Sequence, residues 1–180
     1  VLNDTFNEIY TEYDFIGVRL EDIKTNPVKT LSDLCKWMQI HEQPSIFEMT
    51  VQGKKWWGDP SSPDYAKDGM QPFGLSSLQR PLSENLSLRD EKLLQVFFHP
   101  FNKIFGYPTI SEEEFKDRLE TIPAQLSEKF EFEKIYESKN NCNLRYSTHF
   151  RRLRIGLLEK YKLLKQLGTY PNMLKPLNKH

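Results

Sequence analysis

The chain has 180 residues and no net formal charge, because 25 Lys and Arg residues balance 25 Asp and Glu residues. This length fits one domain, and the neutral balance argues against bulk electrostatic attraction to nucleic acid or to a membrane surface. Hydrophobic residues make up 38% of the sequence and aromatic residues 13%, which predicts an aromatic-rich core beneath a polar surface.

The first predicted elements are a helix-like stretch from Leu2 to Tyr10 and a strand around Val18. Ile16, Val18 and Leu20 alternate with residues that face the other way, in the two-residue period of a strand. A turn at residues 24–26 follows and leads into the next helix. Strand and helix together predict a β-α unit, and α/β enzymes place binding residues on the connecting loop of such units.

The next segment predicts a helix from Pro27 to Ile40. Asn26 is a good N-cap, and Pro27 suits the first helical position because its φ is preset and its missing N–H is not needed there. The apolar residues that recur at helical spacing are Val28, Leu31, Leu34, Cys35 and Met38, with Trp37 on the flank. Because only one stripe is apolar, we expect Leu34 and Cys35 to be buried. The residues expected to face solvent are Lys29, Asp33 and Lys36.

The segment from Gly53 to Leu86 is the main candidate for a chemical role, since it holds four of the eight glycines and is rich in proline. Glycine allows backbone dihedrals that bring N–H groups close to a phosphate. Lys54 and Lys55 supply positive charge, and the indole of Trp56 offers a flat surface on which adenine can stack. The alternative is a long surface loop that is anchored by Trp56 and Trp57.

Five more helices are predicted downstream of residue 44, so the expected fold class is mainly α with minimal β. Their ranges are 45–52, 87–104, 111–122, 124–138 and 146–167. Ser111 with Glu114 three residues later forms a capping box, and Ser87 with Asp90 nearly does. The second and last of these helices carry wide apolar stripes, which a core would bury.

Charge is unevenly distributed over the last third of the chain. Residues 111–137 contain nine acidic and four basic residues, whereas residues 145–166 contain seven basic residues and a single acidic one, Glu159. One interpretation is that acidic and basic helices pack together with complementary faces. The other is that the basic helix forms an anion-binding surface for a nucleotide or an acidic partner.

The sequence gives little support for a metal site or for a functional pair of cysteines. The four histidines are His41, His99, His149 and His180, and none has a partner four residues away or a flanking cysteine, so we expect no zinc site. Cys35 and Cys142 lie far apart and form no C-x-x-C motif. We expect Cys35 to be a small core residue and His99 to be a core histidine with satisfied hydrogen bonds.

The predicted strand and helix also carry a family resemblance. A strand that ends in R-x-E-D-(L/I), followed by N-P and a helix with L-x-x-L-C-x-(F/W)-(L/M)-x-I, resembles the C-terminal half of sulfotransferases that use 3′-phosphoadenosine 5′-phosphosulfate (PAPS). The matching residues are Arg19, Glu21, Asp22, Ile23, Asn26, Pro27, Leu31, Leu34, Cys35, Trp37, Met38 and Ile40. The resemblance continues through the Gly/Trp-rich segment 53–59 and a helix that closes in Phe105-Gly106-Tyr107-Pro108.

This resemblance implies a fold, an activity and a set of nucleotide-binding residues. Residues 1–108 would be the C-terminal part of an α/β P-loop-like sulfotransferase fold, and residues 109–180 a helical hairpin extension. The complete enzyme would move a sulfuryl group from PAPS to a hydroxyl or amine of a small molecule or glycan, leaving adenosine 3′,5′-bisphosphate (PAP). The family's glycine-rich loop folds over the adenosine and 3′-phosphate, and Arg80 stands where related sequences have a W-R pair. The residues implied to bind the nucleotide are Gly53, Lys54, Lys55, Trp56, Gly58 and Arg80.

Several family features are absent from this sequence. It has no G-x-x-x-x-G-K-[ST] loop for the 5′-phosphosulfate and no equivalent of the family's general base, and it begins with Val1 rather than Met. We therefore assign no catalytic residue and expect a piece of a longer enzyme that is inactive without its N-terminal half.

The alternative is a non-catalytic helical interaction module that binds an acidic partner through its basic C-terminal helix. For either function we expect a cytoplasmic protein without a membrane span, because no apolar run approaches about 18 residues and no signal peptide opens the chain. Nucleic acid is not an expected partner.

Overall fold

A computed structural model of the chain describes residues 13–48, 50–51, 54–55, 73–75, 78, 86–139 and 144–178. Its contacts divide the chain into two compact units. The helical unit contains the described residues 13–14 and 86–174, and the small unit contains those from 15 to 78 together with 175–178. The described residues are mainly helical, which confirms the predicted mainly-α class with minimal β. The predicted boundary at residue 108 differs from this division, because the helix before it clusters with the helices after it.

The small unit contains four two-residue strands and two short α-helices. The strands are β1 (Ile16–Gly17), β2 (Thr50–Val51), β3 (Lys54–Lys55) and β4 (Lys175–Pro176), and the helices are α1 (Leu20–Thr25) and α2 (Pro27–Trp37). A 3-10 helix covers Pro44–Phe47. β1 pairs with β4 in parallel, with Ile16 opposite Lys175, whereas β2 and β3 are antiparallel.

The strand expected to continue through Val18 to Leu20 ends at Gly17, and α1 begins at Leu20. The carbonyl of Arg19 accepts the N–H of Ile23, so the chain is already turning into a helix there. Acidic residues in the first turn of α1 and Lys24 in its last turn both complement the helix dipole. This local electrostatic preference favours a helix but does not by itself override the short alternating pattern, and the expected turn at 24–26 is the junction between two helices.

Helix α2 confirms the helix predicted to start at Pro27, although it ends at Trp37 instead of Ile40. Gln39 adopts a left-handed conformation, with φ of 56°, which stops the helix. Cys35 is buried as expected, but Leu34 is only half-buried and Val28 is 65% exposed. The buried stripe of α2 is therefore narrower than its sequence suggests.

The helix predicted at 45–52 is wrong. The 3-10 helix ends at Phe47, Glu48 is extended (φ −103°, ψ 133°), and Thr50–Val51 forms β2. The β-branched side chains of Thr50 and Val51 favour a strand over a helix. The helix predicted at 2–10 lies outside the residues that the structure describes.

The helical unit is built from four helices whose starts and ends follow local signals. They are α3 (Leu88–Phe105), α4 (Glu112–Ser127), α5 (Glu131–Lys139) and α6 (Leu144–Leu167). Ser87 and Ser111 are N-caps as predicted, and their hydroxyls accept the N–H groups of Asp90 at 3.2 Å and Glu114 at 3.1 Å. Gly106 ends α3 with φ of 66°, a conformation that glycine adopts without strain.

The predicted break at Pro123 is wrong, because α4 continues through Pro123 to Ser127. Ile122 and Leu126 flank it and are buried. Burying each such side chain contributes about 1.5–3 kcal/mol, which offsets the roughly 3 kcal/mol that an interior proline costs a helix. The break lies instead at residues 128–130.

The core of the helical unit lies among α3, α4 and α6, with contributions from residues that follow α4 and α6. Its buried hydrophobic residues are Leu93, Val96, Phe97, Phe115, Leu119, Ile122, Leu126, Phe130, Tyr161, Leu164 and Tyr170. The hydroxyl of Tyr170 donates to the carbonyl of Phe97 at 3.0 Å, and burial raises the pKa of Tyr170 above its usual range. Among the described residues, no helix is both long and apolar enough to cross a membrane.

Candidate functional site

Most of the residues that the sequence points to for nucleotide binding lie outside the described residues: Gly53, Trp56, Gly58 and Arg80. The backbone of Lys54 and Lys55 is described and forms β3, which pairs with β2 in the order Thr50 with Lys55 and Val51 with Lys54. The expected loop therefore includes a short antiparallel ladder. The nucleotide-binding role of all six residues stays a prediction.

The motif residues that are described form the corner between α1 and α2. Arg19 lies 3.8 Å from the carboxylate of Asp22, measured between Nε and Oδ1. The carbonyl of Asp22 accepts two hydrogen bonds, from the N–H of Asn26 at 2.9 Å and from the hydroxyl of Thr30 at 3.0 Å. Asn26 occupies the N-cap position of α2 as predicted, but its side chain makes no capping hydrogen bond. Its carbonyl accepts the N–H of Thr30 instead.

Thr30 is a residue of this corner that the sequence analysis missed. It is buried, and its single hydroxyl ties the first turn of α2 back to α1. A threonine in the first turn of a helix after N-P is a local signal that could have identified it, because its hydroxyl can reach a nearby backbone carbonyl. The corner is thus fixed by backbone and hydroxyl hydrogen bonds more than by charge.

A polar depression of about 450 Å³ lies beside this corner, at the start of α2. Its two lysines are already paired: Lys29 donates to Asp33 at 2.7 Å and to Asn178 at 3.2 Å, and Lys36 lies 3.5 Å from Asp33. The hydrogen bond from Lys29 is the main cause that lowers the pKa of Asp33. Asp33 and Glu42 balance the two lysines among the lining residues, so the depression has little attraction for an added phosphate.

The helical unit contains a larger and more apolar opening, which we call the aromatic cleft, with a volume of about 700 Å³. Its aromatic lining consists of Phe97, Phe98, Phe101, Phe130, Phe132 and Tyr170, and one side of α6 completes it. The rings contact one another: Phe130 stacks on Phe132 with 5.0 Å between ring centres, and Phe101 lies 5.6 Å from Tyr170. The side chain of Phe98 is 52% exposed. The cleft thus presents apolar surface to solvent.

Two basic residues of α6 line the aromatic cleft. Arg152 is exposed and makes no ion pair with any described residue. The Nζ atom of Lys160 lies 5.7 Å from the ring centre of Tyr170, which is a cation–π distance. Glu159 also lines the cleft and pairs with Lys162 at 2.7 Å. The net charge around the opening is therefore positive.

Two other basic residues of α6 pair with acidic residues of neighbouring helices, which accounts for part of the uneven charge in the last third of the chain. Arg154 pairs with the buried Glu133 of α5, and Lys165 pairs with Glu120 of α4 at 2.9 Å. The hydrogen bond to Glu120 is the first cause that raises the pKa of Lys165. These contacts support the interpretation of complementary acidic and basic helices, and they leave a smaller basic surface than the sequence suggests.

His99 is a buried structural residue, as the sequence analysis expects. Its Nδ1 lies 2.7 Å from the hydroxyl of Thr109 and its Nε2 lies 3.2 Å from Glu112, while its ring stacks on Phe115 at 4.3 Å. The hydrogen bond from Lys103, followed by the one from His99, lowers the pKa of Glu112. No group of His, Cys, Asp and Glu in the described residues is arranged to hold a metal ion.

Comparison with known proteins adds no identification. No protein-family model, no curated protein and no solved structure matches the chain. The assignment of a function therefore depends on the residues and their geometry.

Proposed function

We propose that the chain is the C-terminal portion of a PAPS-dependent sulfotransferase and helps to close the site for the adenosine and 3′-phosphate. The complete enzyme would transfer the sulfuryl group to a hydroxyl or amine acceptor. The observation that carries the proposal is that three residues of the family motif contact one another: Asn26 donates its N–H to the carbonyl of Asp22, and Arg19 lies 3.8 Å from the Asp22 carboxylate. This contact gives a physical reason for the spacing between R-x-E-D and N-P.

The pairing of β1 supports the same proposal. Parallel strands are found almost only in sheets that are covered on both faces, and two residues per strand give little stability alone. The parallel pair of β1 and β4 therefore fits the edge of a larger parallel sheet, which the rest of a P-loop-like fold would supply. In that arrangement α1 and α2 follow the carboxyl end of β1, where open α/β sheets bind their ligands.

The chemical task of this portion would be to position the nucleotide. Sulfuryl transfer needs the donor held in line with the acceptor and needs negative charge stabilised as the bond to the leaving phosphate breaks. Lys54 and Lys55 would contribute charge near the 3′-phosphate, and Trp56 would stack on the adenine. The groups that contact the sulfuryl group itself would come from the upstream half.

The test is a calorimetric titration of PAP into the whole protein that contains this chain. We expect binding, and we expect the double variant Lys54→Ala/Lys55→Ala to bind at least about tenfold more weakly, since each charge-assisted contact to phosphate contributes about 1.5–3 kcal/mol before solvent screening. Lys92→Ala, which removes an exposed lysine from α3, is the matched control and should leave the affinity unchanged. A whole protein that does not bind PAP at millimolar concentration would contradict the proposal.

A second candidate is the helical interaction module, and the observation that favours it is the adjacent, exposed pair Arg151 and Arg152 on α6. Such a module would bind an acidic protein surface, and its affinity would fall steeply with added salt. Replacing both arginines with Gln should remove most of that salt dependence. An affinity that stays the same in this double variant would exclude α6 as the contact surface.

A further inference from the structure

We propose that the aromatic cleft of the helical unit binds a small anionic amphiphile: a molecule with an apolar chain or ring system and one carboxylate or sulfonate group. The inference is independent of the nucleotide proposal, because all lining residues of the cleft belong to the helical unit. None of them belongs to the motif residues around Asp22.

The size and lining of the cleft fit a small molecule. Sites for small ligands usually have about 300–1,000 Å³ and are lined by apolar and aromatic side chains with few polar groups. The aromatic cleft has about 700 Å³ and such a lining. Phe98 and Leu153 on its walls are 52% and 40% exposed, so an apolar occupant would remove them from water.

Gly156 provides an independent observation that the cleft is kept open. It lies in the interior of α6, where glycine is the least favourable residue after proline. Apart from its chain neighbours and the adjacent backbone of α6, no described atom lies within 4 Å of a Cβ added to Gly156, so contacts within the described residues give no reason for a glycine. Because Gly156 lines the cleft, any larger side chain would occupy space that a ligand could fill.

The charges around the cleft favour one anionic group rather than an extended acidic partner. Arg152 lacks an ion-pair partner among the described residues and can accept one from a ligand. Glu159 lines the same side of α6, about 10 Å farther along the helix axis at 1.5 Å per residue. Lys160 lines the cleft beside Glu159 and offsets its charge, so a partner with acidic residues along its whole length would gain attraction mainly at Arg152. A single head group at Arg152 would gain the same attraction while its apolar body contacts the phenylalanines.

The test is calorimetric titration of the 180-residue chain with decanoate, below its micelle concentration, and with decanol as the uncharged equivalent. We expect decanoate to bind with micromolar to submillimolar affinity, and about tenfold more tightly than decanol, because one charge-assisted hydrogen bond at a half-open site is worth about this factor. Arg152→Gln should remove this preference, whereas Arg151→Gln, which changes the neighbouring exposed arginine outside the cleft, should not.

Filling the cleft tests its location. Gly156→Phe should weaken decanoate and decanol binding at least tenfold, while Ile155→Phe adds the same ring at the adjacent exposed position outside the cleft and should not. If Gly156→Phe does not fold, Phe98→Ala serves instead, since Phe98 is half exposed and its loss should weaken both ligands. The proposal is overturned if decanoate does not bind at millimolar concentration, if decanol binds equally well, or if the variant with a filled cleft binds like the wild type.

Discussion

Replacing Asp90 with Ala should destabilise the helical unit, because this carboxylate holds the start of α5. Asp90 is completely buried, and its Oδ2 accepts the N–H of Glu131, the first residue of α5, at 2.9 Å. Its other oxygen, Oδ1, is buried without a hydrogen bond and lies 3.7 Å from Arg89 Nη1. The carboxylate therefore acts as an N-cap that is supplied from another helix.

The magnitude follows from two opposing contributions. Loss of an N-cap costs about 0.5–2 kcal/mol, and a hydrogen bond to a charged group contributes about 1.5–3 kcal/mol. Removing Asp90 also relieves the desolvation of its unbonded oxygen, which offsets part of that loss. We expect a net decrease of about 1–2 kcal/mol in the free energy of unfolding.

Urea denaturation followed by circular dichroism at the helical band gives the assay. Asp90→Asn keeps an acceptor oxygen and should lose about half as much stability, and Asp117→Ala removes an exposed acid from α4 and should stay within about 0.5 kcal/mol of the wild type. If Asp90→Ala lowers the free energy of unfolding by less than about 0.5 kcal/mol, as little as Asp117→Ala does, the capping role is refuted.

Two further predictions concern the charged contacts of the helical unit. Arg154→Leu should destabilise it by about 3–5 kcal/mol because Glu133 would stay buried without its partner, and the double variant Arg154→Leu/Glu133→Leu should recover much of this loss in the same urea assay. The pKa of Glu112 is lowered from 4.5 by hydrogen bonds from Lys103 and His99, so its contribution to stability is present above the unfolded-state pKa and is lost as the pH falls through the lower folded-state pKa. Glu112→Gln should therefore flatten the stability profile below about pH 4.5, and an unchanged acid profile would contradict this.

The helix starts and ends that the sequence predicted correctly are those that depend only on residues close by in the chain. Ser87 and Ser111 each bond to an N–H three residues away, and Gly106 needs only its own freedom of φ. The break between α4 and α5 depends instead on α3: Arg89 donates to the carbonyls of Gln125 at 2.6 Å and Lys129 at 3.1 Å. No local pattern reveals partners 36 and 40 residues apart, which is why the sequence placed the break at the nearest proline.

The prediction of a strand through Val18 and Leu20 was wrong for a different reason. Three alternating residues match a strand, but Leu20–Thr25 is also a short sequence with acids at its start and a lysine near its end, as a helix prefers. The hydrogen bonds from Asn26 and Thr30 to the carbonyl of Asp22 decide between the two patterns. One of these bonds comes from a buried side chain in the following helix, so the choice is made by tertiary contact.

The aromatic cleft shows the limit of hydrophobic periodicity most clearly. The high aromatic content predicted an aromatic core, and Phe97 and Phe130 are indeed buried in it. Phe98 follows Phe97 directly and is half exposed at the opening, and the same spacing rules would assign it to a core stripe. A periodic pattern identifies the side of a helix that avoids water, but it does not distinguish a side filled by another helix from one left for a ligand. We infer that Gly156 makes that distinction, because it is an unfavourable residue inside a helix and, apart from its neighbours and the adjacent helix backbone, no described atom lies near its missing side chain.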